Sequence, residues 1–223
     1  MMKKLLIAAL VFTGYSVQAQ HDFSTDVLGF AFSKYGIGYE YALNTQNSIG
    51  INANFASKNM LSDSKDRNGE IDYFEMNFIP EYKYFMTPNK GNDGIYIGIY
   101  GKYRSSSSKG VEYTYLEDVS TQQKSSTDIT SSGISLGAMA GYKWKTTGAL
   151  FFEATVGIGK FIMNDVSYSN AEFKAGIDDG FGPLKVKYTD FDENNYVPYF
   201  GNELPVDLRL ALKVGIRIGG GSE

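Results

Sequence analysis

The sequence predicts an all-β chain folded as an eight-stranded antiparallel transmembrane β-barrel with short periplasmic turns and long extracellular loops. Three observations predict it. Apolar residues alternate with small, polar or charged ones through most of the chain, the period of strands that are apolar on one face. The connections are alternately short (45–47, 87–94, 145–149) and long (58–70, 106–130, 163–203), the asymmetry of outer-membrane barrels. An export signal stands in front of them.

That signal is residues 1–19. Lys3 and Lys4 make a positive start, Leu5 to Phe12 an apolar run, and Val17-Gln18-Ala19 a small-residue site with cleavage expected after Ala19. The run is far shorter than the roughly 20 apolar residues of a membrane-spanning helix. Residues 20–223 are then expected to form a single barrel domain. The chain has 223 residues, no Cys, one His and a formal net charge of −4. The lack of Cys excludes a disulfide scaffold and thiolate chemistry, and a mean hydropathy of −0.25 excludes a bundle of transmembrane helices. No basic stripe is present to meet nucleic acid.

The strands follow in order. Leu28, Phe30 and Phe32 are apolar at even positions, whereas Tyr35, Ile37, Tyr39, Tyr41 and Leu43 are apolar at odd ones. The phase therefore flips within 27–43, a stretch longer than the 9–11 or so residues of a tilted strand. Two strands are expected there, the first ending near Phe32 and the second running down to Leu43, with a tight turn at Ser33-Lys34. A single bulged strand would flip the phase in the same way. Ile49, Ile51, Ala53 and Phe55 mark the third strand; Phe74, Met76, Phe78, Pro80, Tyr82 and Tyr84 mark the fourth. Ile95, Ile97 and Ile99 mark the fifth, and Ile134, Leu136, Ala138, Ala140, Tyr142 and Trp144 the sixth. Phe152, Ala154, Val156 and Ile158 mark the seventh. Val206, Leu208, Leu210, Leu212, Val214, Ile216 and Ile218 mark the last. Tyr39, Tyr41, Tyr84, Tyr142 and Trp144 fall near strand ends on the apolar face, where an interfacial girdle belongs.

The opposite face carries Glu40, Glu75, Glu81, Lys83, Lys102, Lys143, Glu153, Asp207, Arg209, Lys213 and Arg217. Eight strands enclose a lumen that side chains can fill, and buried ions there must be paired. The functional reading of this set is an ion- or proton-conducting lumen; the structural one is a plug of salt bridges, which the narrow bore favours. Lys143 and Glu153 are expected as diagonal cross-strand neighbours, about 7–8 Å apart at Cα. Glu81 is expected opposite Tyr100, whose hydroxyl would donate to it.

The run Asn77-Phe78-Ile79-Pro80-Glu81-Tyr82-Lys83-Tyr84-Phe85 followed by Gly94-Ile95-Tyr96-Ile97-Gly98 resembles a family of small Gram-negative outer-membrane β-barrel proteins of unknown function. Lys83 stands where that family usually has Arg. Gly38-Tyr39-Glu40-Tyr41-Ala42-Leu43 and Gly137 to Trp144 are similar to other strands of the family. The resemblance covers most of 27–160 and the final strand. It implies an architecture similar to OmpA-like eight-stranded barrels, and no established activity.

Catalytic signals are weak. Gly133-Ile134-Ser135-Leu136-Gly137 matches the G-x-S-x-G elbow of serine hydrolases, but that motif needs a strand–turn–helix and a partner His. It lies instead in an alternating strand, and the one His, His21, reads as an exposed residue near the start of the mature chain. No enzyme, cofactor or metal site is expected. The loop 163–203 is acidic and aromatic, with Leu184, Val186 and Tyr188 suggesting a hairpin and Asp190 to Asn195 rich in oxygen ligands. The latter lack the Gly and Glu that an EF-hand loop needs. The expected function is that of a non-enzymatic outer-membrane protein, structural or surface-interacting through its loops. The alternative is a narrow channel or a small-ligand or ion carrier using the polar lumen. The expected partners are outer-membrane lipid, the barrel-assembly machinery and an extracellular partner at 163–203; nucleic acid is not expected.

Overall fold

Strict alternation leaves each strand with one apolar and one polar face, and the ring formed by these strands turns the polar face inward. The computed structural model describes residues 20–58, 72–89, 91–116, 122–170 and 196–219; the export signal lies outside them. The strands are β1 (His21–Asp26), β2 (Lys34–Ala42), β3 (Asn47–Ala56), β4 (Asp72–Phe85), β5 (Gly94–Leu116), β6 (Gln122–Lys145), β7 (Leu150–Tyr168) and β8 (Val206–Ile218). Each pairs antiparallel with the next, and β8 pairs with β1 to close an eight-stranded barrel. No free edge remains where the ring is complete.

The faces fall as the alternation predicts. On β4, Tyr73, Glu75, Asn77, Ile79, Glu81 and Lys83 are buried while Phe74, Phe78, Pro80, Tyr82 and Tyr84 are exposed. On β8, Asp207, Arg209, Ala211, Lys213 and Arg217 are buried and Leu208, Leu210, Leu212, Ile216 and Ile218 are exposed. A barrel in water would reverse this order. An apolar outer wall around a polar lumen suits hydrocarbon. Tyr39, Tyr84, Tyr142 and Trp144 stand exposed on that wall toward the short turns, and the Tyr142 and Trp144 rings meet at 4.6 Å. His21 is no loose terminal residue: it opens β1, and its ring bonds Tyr39 Oη at 2.8 Å.

The short connections are 43–46, 86–93 and 146–149, close to those expected. In the first, Asn44 Oδ1 accepts from the amides of Gln46 (2.9 Å) and Asn47 (2.8 Å), the side-chain chemistry of a tight turn.

Two features differ from the sequence expectation. The stretch 27–43 is indeed not one strand, but β1 ends at Asp26 and a one-turn helix, α1 (Val27–Ala31), follows it. Leu28, Phe30 and Phe32 therefore belong to α1 and its exit, not to a strand. The Asp26 side chain accepts from Leu28 N at 3.1 Å and caps the helix, and Ser33, at φ 52°, closes it. The phase flip comes from this turn, which no bulge is needed to explain.

The second correction concerns 106–130. It is no simple loop, for β5 and β6 run 23 and 24 residues, about twice what crosses a bilayer. Ser105 to Ser108 pair with Ser132 to Ile129; a backbone ladder needs no apolar alternation, so hydropathy gave no sign of it. Around a register shift at 108/111, Val111 and Ile129 pack with Tyr196 and Val197. The loop 163–203 likewise begins as strand, since β7 extends to Tyr168. Residues 59–71 and 171–195 lie outside the described residues, and with them Leu184 to Tyr188 and Asp190 to Asn195.

Glycines on the inner face make room for large rings. A Cβ on Gly141 would stand 2.3 Å from the Tyr96 hydroxyl and 2.4 Å from Ala154 O. Gly141→Ala is expected to destabilise the barrel by about 1–3 kcal/mol through overpacking. The measurement is the urea midpoint of the refolded protein in lipid vesicles, and an unchanged midpoint would contradict this packing.

Candidate functional site in the barrel lumen

All eleven charged residues predicted for the lumen point into it, and strand pairing decides who meets whom. Asp22 faces Glu40 on β2 and Arg217 on β8. Lys143 faces Glu153 directly across β6 and β7, not diagonally as expected. Their atoms are nevertheless 3.7 Å apart, because Lys143 Nζ turns to Glu40 at 2.6 Å and Asp22 at 3.1 Å. Lys83 Nζ lies 2.6 Å from Glu40, 2.7 Å from Glu153 and 3.1 Å from Glu81. Glu81 also takes Arg209 at 2.5 Å and Lys213 at 3.5 Å. Arg217 grips Asp22 through Nε at 2.8 Å and Nη2 at 2.9 Å, and donates to Asn92 O in the turn below.

These contacts form one connected network of Asp22, Glu40, Glu81 and Glu153 with Lys83, Lys143, Arg209, Lys213 and Arg217. It occupies the half of the lumen nearer the short turns. Aromatic rings fill the space between the charges. Lys83 Nζ is 4.9 Å from the centre of the Tyr96 ring and Lys143 Nζ is 5.0 Å from that of Phe151. Ile79, Phe85, Tyr96, Tyr100 and Met139 pack together as a buried apolar cluster. Glu81 does stand opposite Tyr100, but its described partners are the three cations, and Tyr100 instead lies beneath the Arg209 guanidinium at 5.3 Å. Among the described residues each ion of this set has at least one counter-ion, and all but Arg209 and Arg217 have two or more, which offsets the desolvation that would otherwise make an isolated buried charge untenable.

The other predicted residues sit toward the long-loop end. Glu75 takes Lys34 at 3.3 Å, with Tyr73 Oη at 2.8 Å and Asn77 Nδ2 at 2.7 Å. Asp207 takes Lys102 at 2.5 Å and the Ser135 hydroxyl at 2.6 Å. The hydroxyl of the G-x-S-x-G match is therefore engaged mid-strand, with no elbow around it. Arg104 donates to Phe200 O and to Asn164 Oδ1, and stacks on Phe161 at 4.6 Å. Between these groups and the network a cavity of about 370 Å³ remains.

Sequence reading missed Asp22, Lys34 and Arg104. The signal was there for Arg104, which continues the inward phase of Tyr96, Tyr100 and Lys102. For Asp22 it was the neighbouring Phe23, an outward apolar residue in a strand begun too late.

The family described as "Protein of unknown function (DUF3575)" matches residues 4–187. The chain belongs to that family. The match takes in the Asn77–Phe85 run that carried the resemblance and stops short of β8. No match is found among the curated proteins. Among solved structures, the chain is similar to CarO2 of Acinetobacter baumannii, at 12% identity and a TM-score of 0.39 over 91% of this chain and 98% of that one. A major outer membrane protein from Thermus thermophilus aligns at 12% identity and a TM-score of 0.41, over 90% and 99% of the two chains. CarO of Acinetobacter baumannii aligns at 13% identity and a TM-score of 0.37, over 91% and 97%. What the family's lumen does has to be read from its own residues. The network ties together six of the eight strands, β1, β2, β4, β6, β7 and β8, so it braces the ring at the same time as it fills it.

Proposed function

We propose that the chain is a non-enzymatic outer-membrane β-barrel, exported by the signal at 1–19, closed to flow along its axis and acting through its long-loop end. The observation that carries this reading is the plug. Lys83, Lys143, Glu153 and Asp22 are all but fully buried and mutually paired, with Phe85, Tyr96 and Phe151 packed among them. Moving an ion through that layer would require separating several pairs at once, each break leaving a buried charge uncompensated. The apolar outer wall supports the membrane location. Outer-membrane lipid and the barrel-assembly machinery are the partners this location implies, and the loop 163–203 is the surface offered to an extracellular one.

The carrier alternative draws support from one observation, the cavity of about 370 Å³ above the plug, which lies at the small end of ligand-site volumes. The channel alternative would need a path past Arg209 and Lys213, and both are engaged with Glu81. The test is a planar bilayer with the purified, refolded protein. No stepwise conductance is expected from the wild-type barrel; regular steps would turn the reading to the channel.

A further inference from the structure

We propose that the long-loop half of the lumen binds a single-chain amphipathic anion, with its carboxylate or phosphate head at Arg104 and Lys102. Its hydrocarbon chain would leave sideways through the barrel wall between β2 and β8. The proposal rests on the closed-barrel reading above and gives the cavity an occupant.

The wall between β2 and β8 is incomplete. β1 stops with Asp26 opposite Lys213 and Thr25 opposite Ile37. Past that point, among the described residues, no strand lies between Val206–Leu212 of β8 and Lys34–Gly36 of β2; α1 occupies the place and packs against both β8 and β2. Side chains cap the two edges where the ladder ends. Asp26 Oδ1 accepts from Leu212 N at 3.1 Å, and Thr25 Oγ1 donates to Gly36 O at 2.7 Å. The seam lies within the apolar belt, for Ile37, Leu208 and Leu210 are 68%, 52% and 68% exposed. An edge facing hydrocarbon leaves backbone groups that lipid cannot satisfy, and α1 covers it with a helical turn rather than with a paired strand.

The cavity reaches this seam. Asn52, Asn77, Lys102, Arg104 and Asp207 line it from the lumen, and Leu28, Phe32, Ile37, Leu208 and Leu210 line it at the seam. One end is therefore polar and the other apolar, the two requirements of an amphipath.

The charge at the polar end selects an anion. The lining holds Lys34, Lys58, Lys102, Arg104, Arg209 and Lys213 against Asp26, Glu75 and Asp207. Glu81 answers Arg209 and Lys213 from below, which leaves four cations to three acids. The Asp26 carboxylate is held by the Leu28 and Leu212 amides. Arg104 is only 2% exposed, its described acceptors are the Phe200 carbonyl and the Asn164 amide, and its Nε meets no acceptor among the described residues. Asn52, 6% exposed and lining the same cavity, has no partner for Nδ2 among the described residues. Buried donors without acceptors are rare and costly, and an anionic head would supply both. Asn77 Oδ1, an acceptor beside them with no partner among the described residues, suits a protonated phosphate oxygen.

The mature protein in phosphatidylcholine nanodiscs would be titrated with dodecanoate, dodecyl phosphate, acetate and inorganic phosphate. Saturable binding of at least one of the two amphipaths is expected, one per barrel, and at least ten-fold weaker in Arg104→Gln. Acetate and phosphate should not bind in the same range. Preference between the amphipaths identifies the head as a carboxylate or a phosphate. For the chain, a tryptophan introduced by Leu210→Trp in a Trp144→Phe background should be quenched by chain-brominated dodecanoate, and less so with Arg104→Gln added. Equal affinity in Arg104→Gln and wild type would overturn the head site. Inorganic phosphate binding as tightly as dodecyl phosphate would overturn the lateral exit. Heat-modifiable gel mobility checks that each variant is folded, and Asn52→Ala, expected to weaken binding likewise, stands in if Arg104→Gln does not fold. A conducting wild-type barrel would instead sink the closed-barrel reading and leave these binding results to be judged separately.

Discussion

Glu153→Ala is expected to destabilise the barrel by about 3–5 kcal/mol, the cost of breaking a buried ion pair by removing one partner. Glu153 is 2% exposed and lies 2.7 Å from Lys83 and 3.7 Å from both Lys143 and Lys213. It also accepts from Tyr96 Oη at 2.8 Å and Thr155 Oγ1 at 3.1 Å. Truncation unbalances three cations and leaves one of the two hydroxyls, which also bond each other at 2.6 Å, without its acceptor. Adding Lys83→Ala should cost less than the sum of the single losses, since it removes the cation that Glu153 holds most closely. Lys143→Ala should couple to Glu153→Ala more weakly, because the near acid of Lys143 is Glu40. Double-mutant cycles on urea unfolding in lipid vesicles read both couplings. Additivity in the Lys83 cycle would show that Lys83 and Glu153 do not interact.

Leu212→Arg is expected to cost about 2–4 kcal/mol if position 212 lies near the membrane midplane, as its place in the middle of β8 implies. Leu212 is 47% exposed on the outer wall, while its neighbour Lys213 is 6% exposed in the lumen beside Glu81 and Glu153. Lys213→Gln should cost less, since Lys83 still answers both acids. A soluble barrel with its core on the leucine side would also suffer from Leu212→Arg, so loss of stability alone does not discriminate. Spin labels at the two positions do. Contact with lipid chains at 212 and none at 213 is the expected result; water at 212 or lipid at 213 would overturn the membrane reading.

The strands of highest contrast were legible in the sequence almost to the residue. Val206 to Ile218 alternates without interruption and is β8 from end to end, because a half-buried strand must place its apolar residues at a period of two. The same period assigned all eleven lumen charges to the inner face. Where the pattern was silent, so was the reading. Ser105 to Ser108 and Ser131-Ser132 carry no apolar phase, yet they extend the β5–β6 hairpin, whose hydrogen bonds come from the backbone. Val27 to Ala31 carried an apolar phase that proved helical, and the deciding group was the Asp26 carboxylate, which caps one helical turn and reaches across to Leu212.

By itself, then, the sequence determined the polar lumen, the apolar wall and the charges that had to be buried. These follow from local alternation and from the cost of leaving an ion without a partner. Tertiary structure alone decided the pairing: that Lys143 faces Glu153 directly yet binds Glu40, and that Lys83 holds one acid of its own strand and one each from β2 and β7. It also decided that β1 stops short and leaves a seam beside β8. Register and closure bring together residues as distant as Asp22 and Arg217, and no local pattern encodes a contact between strands at opposite ends of the chain.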